Sequence, residues 1–326
     1  MEINAANLNA LYISFDTIFQ QGFEKPPSYY EQLSTVTRSA SAQTLYPFLG
    51  RTTKFSEWLD ERHYQALERH GYTITNKHWE NSVRIDRNDI EDDQYGTYAP
   101  FIEQMGMDTK VHPDILIFSM IKAASTGSAV TMPDGTSMPV PVAYDGINFF
   151  ATTHPVGPAN NPASDSNVSN VDSGGSGSWW FLIDASRAIR PFIFQIRKEY
   201  TVTHMNAETD EAVFSRRQFR YGVDGRSNVG VGLWQLAYAS NQDLSDPTKY
   251  ASARAAMRGF KTDAGLPFGA LSNRKGIYLL VPPSLEEVGR QLLNSDFGVG
   301  AGASSMVATT NIWKNSADLI VSEYLA

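Results

Sequence analysis

Cysteine is absent from all 326 residues. Its absence removes disulfide frameworks, thiolate zinc sites, iron–sulfur clusters and cysteine nucleophiles together. Charge is sparse, with Asp, Glu, Lys and Arg at 19% of the chain against the ~25% usual for soluble domains. Basic charge is the scarcer sign. The 27 Lys and Arg face 35 Asp and Glu for a formal net charge of −8, so a nucleic-acid-binding surface is not the global design. Long apolar runs are missing too: the most apolar window, 115–121, is 7 residues and cannot span a ~30 Å hydrocarbon layer as a helix. The start, Met1-Glu2-Ile3-Asn4-Ala5, has no basic stretch leading into an apolar one, so no signal peptide is expected. Ser, Thr, Asn, Gly and 15 Tyr fill the gap left by charge, a surface suited to lying against other protein. The length fits about two domains of ~150 residues. A compact globule of that size buries roughly 75% of its unfolded surface without staples.

Catalytic signatures are equally scarce. The six histidines, His63, His70, His78, His112, His154 and His204, form neither HxxxH nor HExxH, so no helix face offers a metal pair. The GxSxG elbow is missing. The Gly-rich stretches 173–178 and 298–302 lack the strand–loop–helix frame of a phosphate loop. Asp145, His154 and one of many serines make a triad only on paper, and a hydrolase using His154 is the enzyme alternative. Asp89-Ile90-Glu91-Asp92-Asp93 could bind a hard cation, but carboxylates at a helix start are the better reading.

Leu8, Leu11, Tyr12, Phe15, Ile18 and Phe19 recur at helical spacing, with Gly22 as the stop. Pro26-Pro27 and a polar run over 34–43 follow, so this helix is either an arm or packed on its own domain. Residues 46–87 read as a two-stranded ribbon with a charged tip, its strands at 72–75 and 82–87. A ribbon without a core must lie on something. From Asp89 to Ala124 the pattern is helical, interrupted at Pro100 and His112-Pro113. Residues 157–178 are Gly, Pro, Asn, Ser or Asp at 18 of 22 positions, an exposed loop by composition. Strands are predicted at 179–183, 192–196, 199–204, 212–221 and 230–238, a mainly antiparallel block. A helix over 246–260 starts with Asp246-Pro247. A strand at 277–281 precedes a helix with a Ser284–Glu287 capping box, and 319–321 is the last strand.

Taken in order, several stretches carry a family likeness: Asn4-Ala5-Ala6-Asn7-Leu8, Asn76-Lys77, Arg87-Asn88-Asp89-Ile90-Glu91-Asp92-Asp93 and His112-Pro113-Asp114. Tyr144-Asp145-Gly146, Phe149-Phe150, His154-Pro155, the helix from Ala253 to Lys261, Gly265-Leu266-Pro267 and Leu280-Val281-Pro282-Pro283 continue it. The chain resembles, nearly end to end, the major head subunits (gpT type) of Mu-like tailed phages. It departs at Thr153, where an acidic residue is expected before His154-Pro155.

The resemblance implies an α+β chain with the Hong Kong 97 phage capsid fold. An N-terminal arm takes 1–45 and an extended β-loop 46–80. The peripheral domain takes 81–130, 183–240 and 306–326, with its long spine helix over 89–125. A flexible excursion over 131–182 and an axial domain over 241–305 complete it. It further implies a non-catalytic protein without cofactor or metal, assembling through pentamers and hexamers into an icosahedral head around double-stranded DNA. Implied partners are copies of itself, scaffold, portal and maturation protease, a decoration protein, and packaged DNA contacted non-specifically, with no membrane. Its place is the virion, assembled in the bacterial cytoplasm. Leu11, Phe15 and Phe19 in the arm, and Phe55, Trp58, Leu59, Tyr64 and Trp79 in the ribbon, are then expected against neighbouring subunits. Glu61 and Arg62 in the charged tip would set register. Arg216, Arg217 and Arg220 are expected to pair with acids on a strand face, with interior DNA contact as the other possibility. A compartment shell of the same fold and a tail-tube protein are the structural alternatives.

Overall fold

The computed structural model describes residues 3–46, 72–92, 94–156, 166–207, 210–262, 267–273, 275–299 and 308–326. Helix α1 (Ala5–Glu24) starts where the Asn4 side chain accepts from the Asn7 amide at 2.8 Å, an N-cap in the usual sense. Gly22 does not stop this helix. It lies inside it, at a crossing so close that a Cβ there would stand 2.1 Å from the Glu103 carbonyl oxygen. Helix α2 (Tyr30–Leu33) and strands β1 (Ser34–Arg38), β2 (Gln43–Tyr46), β3 (Tyr72–Thr75) and β4 (Lys77–Asp86) follow. The polar run over 34–43 is thus partly a strand, because Ser34–Arg38 find a parallel partner at 192–196.

Helix α3 (Arg87–Glu91) is capped by Asp86, and a 3₁₀ turn leads to α4 (Ala99–Thr126), 28 residues long. Pro100 sits in the first turn of α4, where its missing N–H has no helical partner to lose. It therefore starts the helix instead of kinking it. Pro113 lies inside α4, which runs through it. Residues 116–121 of α4 are buried all round, as a central helix must be.

Strands β5 (Val130–Thr131) and β6 (Ser137–Met138) pair, as do β7 (His154–Val156) and β8 (Ser166–Val168); β9 (Val171–Asp172) follows. The stretch expected as exposed loop therefore contains two short strands and a fully buried Asn170. The Asn170 amide accepts from Ala151 N–H at 2.9 Å and donates to the Phe149 carbonyl at 2.8 Å. A polar residue whose bonds are met inside need not face water. Strand β10 (Trp180–Asp184) is buried at all five positions. Strands β11 (Phe192–Met205) and β12 (Gln218–Val231) are single 14-residue strands, bulged between Ile196 and Thr201. Helix α5 (Glu211–Arg216) joins them, where sequence pattern suggests strand. Residues 234–236 form a 3₁₀ turn before β13 (Ala237–Ser240). Helix α6 (Pro247–Gly259) is capped by Asp246 as expected. After β14 (Ile277–Val281), Ser284 stands in a 3₁₀ turn with its hydroxyl 3.2 Å from that of Ser178. Helix α7 (Glu286–Asn294) begins beyond it with no side-chain cap, so the capping box does not form. Strands β15 (Phe297–Val299) and β16 (Ala308–Thr310) pair, and β17 (Asp318–Val321) is the last.

Two sheets organise these elements. One has the order β1-β11-β12-β4, with only the β1–β11 pair parallel. The other has the order β17-β14-β10-β13-β9. A large core gathers β10, β14, the second half of α4 and α6 around Trp180, Trp234, Phe192 and Tyr250. A smaller core lies beneath α1, where Leu8, Leu11, Tyr12, Phe15 and Phe19 meet Ile102 and Met105 of α4 and Phe219 and Tyr221 of β12.

Candidate functional site

Helix α1 is fastened to its own chain. Leu11, Phe15 and Phe19 are 7%, 2% and 4% exposed, covered by α4, β4 and β12 and not awaiting a neighbour's surface. Tyr221 donates to the Asp16 carboxylate at 2.9 Å. Gly106 mirrors Gly22: a Cβ on it would lie 2.2 Å from the Phe19 carbonyl oxygen. Two glycines thus let the backbones of α1 and α4 touch, which no larger residue permits.

Behind the arm, Asp114 of α4 accepts from the Tyr29 and Tyr30 amides at 3.0 and 2.6 Å. Burial pushes the Asp114 carboxyl up from its ordinary value, partly offset by the Tyr29, Ser28 and Tyr30 donors. Sequence reasoning flagged His112-Pro113-Asp114 only as family likeness. Its structural role, a carboxylate capping a distant short helix, leaves no local signal.

Strands β2 and β3 form a hairpin stem held on the sheet. Tyr46 donates to Gln195 Oε1 at 2.8 Å, and Gln195 Nε2 donates to Asn76 Oδ1 at 2.8 Å. The Val231 amide donates to the Tyr72 hydroxyl at 2.7 Å. At Gly230 a Cβ would meet Ile74 Cδ1 at 2.4 Å, so the stem lies flat on bare backbone there. Phe55, Trp58, Leu59, Glu61, Arg62 and Tyr64 lie outside the described residues. Trp79 stands on β4, half-buried, donating to the Ser227 carbonyl at 3.1 Å and meeting the His112 ring at 4.7 Å.

That His112 also bonds the Tyr200 hydroxyl at 2.6 Å. The pair lines a pocket of about 340 Å³ with Trp79, Asp108, Met132 and Asp134. Burial pushes His112 down to about 4 and the Tyr200 hydroxyl up to about 12. His112 is therefore a neutral partner for Tyr200 at physiological pH.

His154 and Asp145 do meet, Nδ1 to Oδ2 at 2.6 Å. The imidazole is completely buried and stacks on Trp234, centroids 4.2 Å apart and planes 9° apart. A general base must reach a proton on its substrate, and this ring is sealed beneath the segment it anchors. The pair fastens residues 145–154 to the large core.

Outward faces carry different residues. Phe214, Phe297, Ile312 and Phe101 are exposed, as are Arg84, Arg216, Arg217 and Arg220. The three arginines expected to pair with acids on a strand face make no ion pair among the described residues, and two acids on the same ladder bond other groups. Asp86 caps α3 and Asp224 bonds Lys198. No group of three His, Asp or Glu side chains could hold a metal ion among the described residues, and no described helix is long and apolar enough to cross a membrane.

This arrangement of helix, hairpin and sheets has known counterparts. Residues 8–325 match the family model of the Mu-like prophage major head subunit gpT. The chain is 35% identical over 323 residues to the Mu-like prophage FluMu major head subunit of Haemophilus influenzae, covering 98% of this chain and 97% of that one. It is 35% identical over 328 residues to the major capsid protein of Escherichia phage Mu, covering both completely. Among solved structures, a chain of the bacteriophage JBD30 procapsid superposes with a TM-score of 0.77 at 33% identity, over 99% of this chain and 100% of that one. A chain of the JBD30 capsid shares the fold with a TM-score of 0.70 at 23% identity, over the whole of both.

Proposed function

Since the chain belongs to the Mu-like major head subunit family, we propose that it closes into an icosahedral phage head, as pentamers and hexamers of itself around packaged double-stranded DNA. It is a structural major capsid protein with the α+β phage capsid fold, and its place is the virion. The observation that carries this reading is the end-to-end match at 35% identity. Assembly in the host cytoplasm and encounters with scaffold, portal, maturation protease and a decoration protein complete the proposal.

Within the subunit, we assign the arm to 1–45, the extended loop to 46–80 and the spine to α4. The excursion would take 131–182, the axial part 241–305, and the peripheral part the remaining segments. The stem network of Tyr46, Gln195 and Asn76 supports a loop whose direction is set by its own subunit. In this reading Phe55, Trp58, Leu59 and Tyr64 enter a neighbour's surface, each adding ~1.5–3 kcal/mol, while Glu61 and Arg62 set register. Leu11, Phe15, Phe19 and Trp79 act on assembly indirectly, by holding the arm and the root of the loop in place. Size-exclusion chromatography with negative-stain microscopy tests this: closed shells are expected. Open tubes would favour a tail component, and a permanent monomer with hydrolytic turnover would favour an enzyme.

A further inference from the structure

Arg84 of β4 and Arg220 of β12 are direct cross-strand partners. Their neighbours Val83, Ile85, Phe219 and Tyr221 point into the smaller core, so both arginines stand on the opposite, outward face. Both are exposed. Like charges directly opposite on one face destabilise a sheet, and neither arginine forms an ion pair among the described residues. The acids on the same face are engaged elsewhere: Asp86 caps α3, Glu80 accepts from Ser82, and Asp224 bonds Lys198. Arg216 ends α5 and Arg217 stands between it and β12, both exposed. Arg217 holds the left-handed conformation at φ 55°, uncommon for a residue with a side chain. One turn earlier, Phe214 is 88% exposed. Four arginines and a bare phenylalanine therefore crowd one end of the β4–β12 ladder, in a chain whose net charge is −8.

We infer that this end of the sheet is a contact surface for carboxylates on a second copy of the chain; the inference rests on the shell reading above. Charge complementarity selects the partner. The chain carries 35 acids to 27 bases, so another copy offers acids in excess of bases, and in a shell the neighbour of every subunit is another copy. Phe214 favours protein over packaged duplex DNA, whose stacked bases are not open to an exposed phenyl ring and whose backbone offers only phosphate. Protein interfaces favour arginine beside aromatic residues. A neighbour's carboxylates would relieve the Arg84–Arg220 repulsion, so the unfavourable pair in the free subunit becomes a favourable one in the assembly.

The test is Arg220→Glu in the full chain, with Arg84→Glu as the second variant. Either substitution sets a carboxylate opposite the remaining arginine, so the unfolding midpoint of the subunit holds or rises. Shell yield on a gradient falls about tenfold or more, since reversal at one site is repeated at every contact. Wild-type yield also drops at about 1 M salt, where the screening length is only ~3 Å. A residue with a purely structural role would move midpoint and yield together. Undiminished shell yield from both variants overturns the contact. Normal shells that merely lose DNA retention overturn it in favour of a polyanion. Wild-type protein that forms no shells overturns the shell reading itself.

Discussion

Asp114 ties the segment after α1 to α4 through hydrogen bonds from two consecutive amides. Asp114→Ala strands both donors in a buried place, at about 1–3 kcal/mol for each. Asp114→Asn keeps an acceptor and discards a buried charge. Because burial raises this carboxyl's pKa, the group favours the folded state below its unfolded pKa and loses that contribution as pH rises through the folded one. At neutral pH the asparagine variant should therefore unfold close to wild type, while alanine shifts the denaturant midpoint well down. Equal losses in the two variants would contradict the assignment. His112 has the opposite sign. Its pKa is lowered to about 4 by burial, so its contribution is complete above the unfolded value of ~6.5. It is lost as pH falls from there toward 4, at about 1.4 kcal/mol per pH unit. In thermal melts from pH 7 to 5, the stability gap between wild type and His112→Gln should narrow with acid. A gap independent of pH would contradict this. Neither role is readable from sequence, because Asp114 and His112 act on residues 84 to 88 positions away.

Elements whose pattern is local were legible. The arm helix shows in Leu8, Leu11, Phe15 and Phe19, and α6 in its Asp246-Pro247 start. Strands β14 and β17 show as short apolar runs. Elements defined by a distant partner were not. Ser34–Arg38 is polar and becomes strand only by pairing with 192–196. Among the described side chains of α5 only Val213 turns clearly inward, too little to give a period. Gly22 illustrates the same limit: glycine in a helix reads as a stop, yet its reason is the Glu103 backbone of another helix. Gly22→Ala should therefore invert the usual rule. Alanine gains about 1 kcal/mol over glycine in an open helix, but a Cβ 2.1 Å from a carbonyl oxygen forces α1 off α4. Overpacking of this kind costs about 1–3 kcal/mol. A lowered melting temperature is expected, and a raised one would show that the crossing is loose.

At the scale of the whole molecule, the candidate surfaces divide by what the chain covers for itself. The apolar face of α1 and the stem network are satisfied internally, and the His154–Asp145 pair is sealed inside with His154 Nε2 left unpartnered. Phe214, Phe297, Ile312 and the arginine cluster are not covered. Sequence composition hinted at a surface meant for other protein, but it could not say which faces, since burial by the arm and exposure of β12 depend on topology. The family match supplies the assembly, and the unsatisfied faces supply the physical reason for it. The central claim is that copies of this chain close into a shell. The most direct measurement is negative-stain microscopy of the purified chain after size-exclusion chromatography. The account predicts closed, roughly isometric particles in the void fraction, dissolving as salt is raised. A chain that stays monomeric at every concentration and ionic strength, or grows only into open tubes, would contradict it.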